Sequence, residues 1–245
     1  IVFASSIDVM LQRLRLVLER LKQAGLKLKP SKCSSLQKSV SFLGHVVSGG
    51  KIGVDYEKIR HVVEWPVPRT LKEVRGFVGL CSYYRRFVKD FGRVAAPLNE
   101  LSKKNQVFKW TEECQGAFDT LKELLTTTPL LAMPNQDDKF ILDCDASQCA
   151  IGGVLSQVHN GEEHPVAYAS RKLSKSEVNY CVTRKEALAV VYFLKYFRHY
   201  LLGSRFLVRT DHAALQWVRH LTDPVGQYAR WIGYMEQFDF EIAHR

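Results

Sequence analysis

Much that would define a protein class is missing from these 245 residues. No apolar run approaches the roughly 20 residues that a membrane-spanning helix needs, which argues against an integral membrane protein. No two cysteines stand at C-x-x-C spacing, and none of the eight histidines forms ligand spacing with a cysteine, which argues against structural zinc. The six cysteines (Cys33, Cys81, Cys114, Cys144, Cys149 and Cys181) lie inside apolar patterns. They read as reduced core thiols of an intracellular protein, with no disulfide partner. No internal repeat or low-complexity tract is visible. The opening IVFASS lacks an initiator Met and a leader pattern, and reads as an interior strand. The closing FDFEIAHR also reads as a strand, so a fragment of a longer protein is expected.

Acid is scarce in one part only. Residues 1–136 hold 22 Lys and Arg against 12 Asp and Glu, and residues 137–245 hold 13 against 13. All of the net charge of +10 therefore sits in the first part, which favours a polyanionic partner there.

Leu11, Leu14, Leu18 and Leu21 recur at helical spacing among Arg13, Arg15, Glu19, Arg20 and Lys22. This predicts an amphipathic helix ending near Gly25, with its leucines packed on a core. A loop, LKPSKCSS, leads to VSFLGHVVSGGKIGV, whose Ser-Gly-Gly predicts one hairpin turn between two strands. From Tyr56 to Thr127 the pattern is helical, broken at Pro66, Pro68 and Pro97. Thr70 followed by Glu73 has capping-box spacing, and Thr111 before Glu112 and Glu113 starts another helix. TTTPLLAMPNQDDK reads as a linker. Beyond it come three strands (about 139–170), a helix (about 177–200), a strand (205–210), short helices and a strand (238–243). That order predicts a mixed α/β sheet.

In this second part acids recur at element boundaries: Asp145 at a strand end, Glu186 inside the long helix, Asp211 just after RFLVRT. Converging carboxylates repel unless cations neutralise them, and hard oxygen donors suit Mg²⁺ or Mn²⁺. Each acid also has a plainer role available. Asp211 could cap the helix HAALQWV, Glu186 could be a solvated helix residue, and Asp145 could form a turn. Spacing alone leaves these alternatives open.

CDASQCAIGGVLSQ, HPVAYASRKLSKSEVNY, TRKEALAVVYFLKYFRHYLLG, FLVRTDHAALQW and RWIGYMEQFDFEIAHR, in that order, resemble the RNase H domain of gypsy-type LTR retrotransposon Pol polyproteins. Upstream, FLGHVVS resembles the primer-grip hairpin of the same polyproteins' reverse transcriptase. EWPVPRTLKEVRGFVGLCSYYRRFVKDF resembles its thumb and connection, and IVFASS the strand after the Tyr-x-Asp-Asp box. The resemblance spans essentially the whole chain.

It implies an α/β chain: an α+β palm and thumb remnant, then an RNase H-like mixed five-stranded sheet with flanking helices. The implied divisions are 1–54 (palm end with primer grip), 55–136 (helical thumb and connection) and 137–245 (RNase H-like). Asp145, Glu186 and Asp211 match the metal ligands, holding two Mg²⁺ or Mn²⁺ ions. His244 matches a mobile-loop histidine that moves protons or helps release product. Asp143 matches no catalytic position; it faces the same acids or sits at a solvated sheet edge, and the edge is the preferred reading. Phe42, Leu43, Gly44 and His45 would place the primer terminus, with Gly44 giving close backbone approach. Tyr83, Tyr84, Arg85 and Arg86, with Lys27, Lys29 and Lys32 nearby, would grip nucleic acid.

The implied partners are an RNA–DNA hybrid, a primer–template, and the rest of the Pol polyprotein (upstream palm and fingers, downstream integrase), in the cytoplasm, within virus-like particles, or in the nucleus. The implied activities are RNA-directed DNA synthesis and metal-dependent hydrolysis of the RNA strand. The polymerase aspartates would precede Ile1 and a fourth RNase H aspartate would follow His244, so this stretch alone is expected not to polymerise and to cleave weakly or not at all. Two other readings stand beside this one: a catalytically defective or host-adopted hybrid-binding module, and a polynucleotide scaffold without hybrid preference.

Overall fold

Short polar side chains placed just before apolar periodicity start the helices. The computed structural model describes residues 1–4, 6–103, 107–135, 137–211 and 226–244. Ser6 caps α1 (Ile7–Gln23), its hydroxyl accepting from the Val9 N–H, and Asp55 caps α2 (Tyr56–Val63) through the Glu57 N–H. Thr70 caps α3 (Leu71–Tyr83) by accepting from the Glu73 N–H at 3.3 Å. Glu73 reaches back to the Arg69 N–H at 2.7 Å, so the capping box forms one residue wider than its ideal. Two short helices, α4 (Phe91–Val94) and α5 (Ala96–Leu101), follow; Thr111 then caps α6 (Glu112–Thr126) as the sequence predicts.

Between α1 and α2 the chain forms a meander rather than the single expected hairpin: β1 (Ser39–Phe42), β2 (His45–Ser48) and β3 (Lys51–Val54) pair antiparallel in that order. The additional turn is Leu43-Gly44, with φ of 47° and 70°, the two left-handed residues that a tight hairpin of matching twist requires. The expected linker is also structured. Its Leu131–Ala132 forms β4, which adds to β3, and Leu131 is fully buried. By contrast α1 buries none of its residues, so its leucines do not pack on a core as expected. Among the described residues nothing covers that stripe.

The second sheet has the order β7-β6-β5-β8-β9, formed by β5 (Phe140–Ala146), β6 (Ala150–His159), β7 (Glu162–Lys172), β8 (Arg205–Thr210) and β9 (Asp239–His244). β5, β6 and β7 are antiparallel neighbours, while β5–β8 and β8–β9 are parallel. Helix α7 (Val182–Tyr196) lies across one face, followed by α8 (Arg198–Leu201), and α9 (Gln227–Met235) leads into β9. Gly153 makes room for α7: a Cβ there would meet the Phe193 ring at 2.7 Å. A mixed five-stranded sheet with flanking helices is therefore present, as the resemblance implied.

Two buried clusters result. One runs from Ile59 to Leu131 through α2–α6 and the other from Phe140 to Phe240 around α7. They meet along β7, the outer strand of the second sheet. Arg85 Nη2 donates to the Ser170 carbonyl at 2.7 Å, Arg86 Nη2 to the Val166 carbonyl at 3.3 Å, and the Gly92 N–H to Ser170 Oγ at 2.7 Å. An edge that would otherwise template pairing with another chain is thereby covered. All six cysteines are free, but only Cys81, Cys114 and Cys144 are buried; Cys33, Cys149 and Cys181 are exposed, contrary to the reading of all six as core thiols.

Candidate metal centre and nucleic-acid surface

Parallel pairing brings the carboxyl ends of β5, β8 and β9 to one edge of the sheet. Asp145 is the penultimate residue of β5, Asp211 follows β8 directly, and His244 ends β9 opposite Thr210 in the ladder. Ser147 closes the turn after β5, its hydroxyl accepting from the Ala150 N–H at 3.0 Å. Glu186 enters from the second turn of α7, only 1% exposed. Its carboxylate bridges the two strand ends, accepting from the Ala146 N–H at 3.1 Å and from Thr210 Oγ1 at 3.5 Å.

Asp145, Glu186 and Asp211 each offer a carboxylate oxygen within 4.8 Å of the others. Burial, then repulsion from Asp211 and Asp145, pushes the Glu186 carboxyl up to about 7. Near neutrality the cluster thus holds a proton where a cation would relieve the same repulsion. Three hard oxygen donors around that excess negative charge fit Mg²⁺ or Mn²⁺. The sequence-named acids converge.

Asp143 corrects an expectation. It lies on β5, the central strand, and is 7% exposed rather than at a solvated edge. Its oxygens accept from Arg209 Nε at 2.7 Å and Nη2 at 2.6 Å, and Nη2 also reaches Glu163 at 2.8 Å. These carboxylates hold the Arg209 guanidinium well above its usual range. Arg209 was not singled out from the sequence, yet a signal existed: it precedes Asp211 by two residues, as Asp143 precedes Asp145. His244 also differs from expectation, being the last ladder residue of a strand where the resemblance implied a loop.

A second carboxylate approaches from the other cluster. Asp90, in a left-handed conformation with φ of 55°, places Oδ1 3.0 Å from where a Cβ of Gly152 would stand. Gly152 is the ladder partner of Asp145, and Asp90, Asp143 and Asp145 line one small cavity with Lys89.

The residues expected to grip nucleic acid divide. Phe42, Leu43 and Tyr83 are exposed, and so are Lys27, Lys29 and Lys32. Tyr84 is fully buried, its hydroxyl donating to the Gly44 carbonyl at 2.7 Å, so the expected nucleic-acid contact is replaced by a packing role. Gly44 faces the Tyr83 and Tyr84 rings, 3.3 Å from a Cβ position, so its close approach is to protein. His45 stacks on Phe87 at 5.6 Å between ring centres. Arg85 and Arg86 are half-buried, with their donors turned to β7.

This sheet order is that of an RNase H-like fold. Residues 110–208 match the family described as "RNase H-like domain found in reverse transcriptase". Over its full length the chain is 39% identical to the "Retrovirus-related Pol polyprotein from transposon 297" of Drosophila melanogaster, and spans 23% of that protein. Over 94% of its length it is 37% identical to the "Transposon Tf2-3 polyprotein" of Schizosaccharomyces pombe, and spans 18% of it. The chain spans about a fifth of the length of these retrotransposon Pol polyproteins. Its fold is also that of foamy viral protease-reverse transcriptase. Structures of that protein with double-stranded DNA and with RNA/DNA hybrid superpose with TM-scores of 0.83 and 0.84 at 22% identity, over 99% of this chain and 44% and 34% of theirs.

Proposed function

We propose that this segment hydrolyses the RNA strand of RNA–DNA hybrids within a reverse transcriptase that copies RNA into DNA. The convergence of Asp145, Glu186 and Asp211 carries the reading. In it, residues 1–54 are the end of a palm with the primer grip, 55–136 the thumb and connection, and 137–245 the nuclease. Asp145, Glu186 and Asp211 would hold two Mg²⁺ or Mn²⁺ ions, which supply an activated water and neutralise charge on the phosphodiester. Glu186 gives up its proton when cations enter, because their charge replaces the repulsion that held it. His244, exposed beside the site, carries protons or assists release of the cut strand. Phe42, Leu43 and Tyr83 offer apolar and aromatic surface to the duplex, and Lys27, Lys29 and Lys32 offer charge to its phosphates.

The hybrid bound by the foamy viral neighbour supports the substrate class, and the greater length of the polyprotein relatives supports a place within a larger Pol polyprotein. The test uses this chain extended beyond residue 245, with an end-labelled hybrid and Mg²⁺. RNA-strand cuts that vanish in Asp145→Asn support the nuclease. Tight, hybrid-selective binding without cutting would replace it by a binding module.

A further inference from the structure

We infer that the Asp143–Arg209 ion pair is a positioning device, a register lock that sets the separation of the two strand ends carrying Asp145 and Asp211. This rests on the metal-centre reading above. The β5–β8 ladder has three rungs, Ile141 with Leu207, Leu142 with Val208 and Asp143 with Arg209. The last rung is the ion pair itself, so the metal-ligating carboxylates lie just past the end of backbone pairing between these strands. Side chains repeat every second residue along a strand, which puts Asp145 one step beyond Asp143, and Asp211 one step beyond Arg209, on the same face.

A single hydrogen bond at that rung would leave the strand ends free to splay or slide. The bidentate pair does not, because two parallel N–H···O bonds fix both distance and orientation. Burial of Asp143 shields the pair from competing water. The third bond, from Nη2 to Glu163 at the start of β7, holds the guanidinium back from the acids beyond it. On the opposite face Glu186 ties Ala146 to Thr210, so the two strand ends are clamped from both sides before any ion arrives.

The test uses the intact chain, with Mn²⁺ as the probe ion, read by the paramagnetic resonance of free Mn²⁺, and with amide hydrogen exchange read without metal. Asp143→Leu/Arg209→Met removes both charges at similar volume; Asp143→Asn, which keeps one acceptor, covers the case in which the double variant does not fold. The lock predicts that Mn²⁺ binding weakens about tenfold or more. It also predicts that the Ala146 amide exchanges about tenfold faster while the β6–β7 amides keep their protection. Unchanged Mn²⁺ affinity and unchanged Ala146 exchange in a folded variant would overturn the lock. If the unaltered chain fails to bind Mn²⁺, the metal-centre reading falls by itself, and the exchange at Ala146 still decides whether the pair sets the strand ends.

Discussion

The two sheets of this molecule are built to different standards. The meander β1–β3 and helix α1 bury almost nothing: among the described residues no side chain before Ile59 is buried, and in the meander only Gly53 is. The five-stranded sheet and its helix α7 bury a continuous apolar cluster and, tyrosine hydroxyls aside, every buried polar or charged side chain of the described residues, Asp143, Glu186 and Thr210 among them. Buried polar groups lower stability unless partnered, so their confinement to this sheet and its helix marks where the fold trades stability for chemistry.

Truncation tests this contrast most strongly. Phe193 is fully buried between α7 and the sheet, and Phe193→Ala should cost about 3–5 kcal/mol in urea unfolding. Leu18→Ala on α1, where the side chain is exposed, should stay within about 0.5 kcal/mol. A comparable loss at Leu18 would show that α1 has a partner in solution, and the contrast would fail.

Titration sharpens it next. A carboxyl whose folded value lies above its unfolded one binds its proton more tightly when folded. The stability Glu186 contributes is therefore complete below 4.5 and is lost as pH rises through about 7. The shift is worth about 3 kcal/mol. Metal-free wild type should fall by that amount relative to Glu186→Gln between about pH 4 and pH 8. Adding Mg²⁺ at the upper pH should return most of the loss to wild type alone. Parallel pH profiles for the two proteins would remove the claim that this sheet stores the cost of its site.

Two glycines allow a matched comparison. An added Cβ would stand 2.7 Å from a neighbouring carbon at both Gly53 and Gly153. At Gly53 the neighbour is the tip of the exposed Leu130 side chain, which can turn away. At Gly153 it is the body of the Phe193 ring, fixed inside the core. Gly153→Ala should cost about 1–3 kcal/mol and Gly53→Ala close to none, by thermal or urea unfolding.

The sequence was most readable where short-range rules act. The capping threonines and the strands of the second sheet follow from side-chain type and periodicity, whereas the three converging acids were named by the family resemblance, because spacing alone left each a plainer role. What stayed hidden depends on which elements become neighbours. Asp143 reads from the sequence as a solvated-edge residue because nothing local says that β5 lies beside β8 rather than beside another strand. Arg85 and Arg86 looked like phosphate ligands because their acceptors, the Val166 and Ser170 carbonyls, lie about 80 residues away. The α1 leucines promised a core because periodicity records an apolar stripe but not what covers it.

Tyr83 and Tyr84 carry the smallest and most discriminating effect. They are adjacent in sequence, and each donates its hydroxyl to one carbonyl of the Leu43-Gly44 turn. Exposure separates them: Tyr83 is half-exposed, so water can replace its hydroxyl, whereas Tyr84 is buried with a value pushed up to about 12, chiefly by desolvation. Tyr84→Phe should therefore cost about 1 kcal/mol, and Tyr83→Phe a few tenths at most. If nucleic acid lies on the exposed face of this turn, Tyr83→Ala should weaken hybrid binding by about 1 kcal/mol, the loss of one stacking platform. Tyr84→Phe should leave hybrid binding unchanged at equal folded fraction. The opposite assignment, binding lost at Tyr84 and stability lost at Tyr83, would mean that the turn presents its other face to the duplex and that the meander is held by something other than this helix.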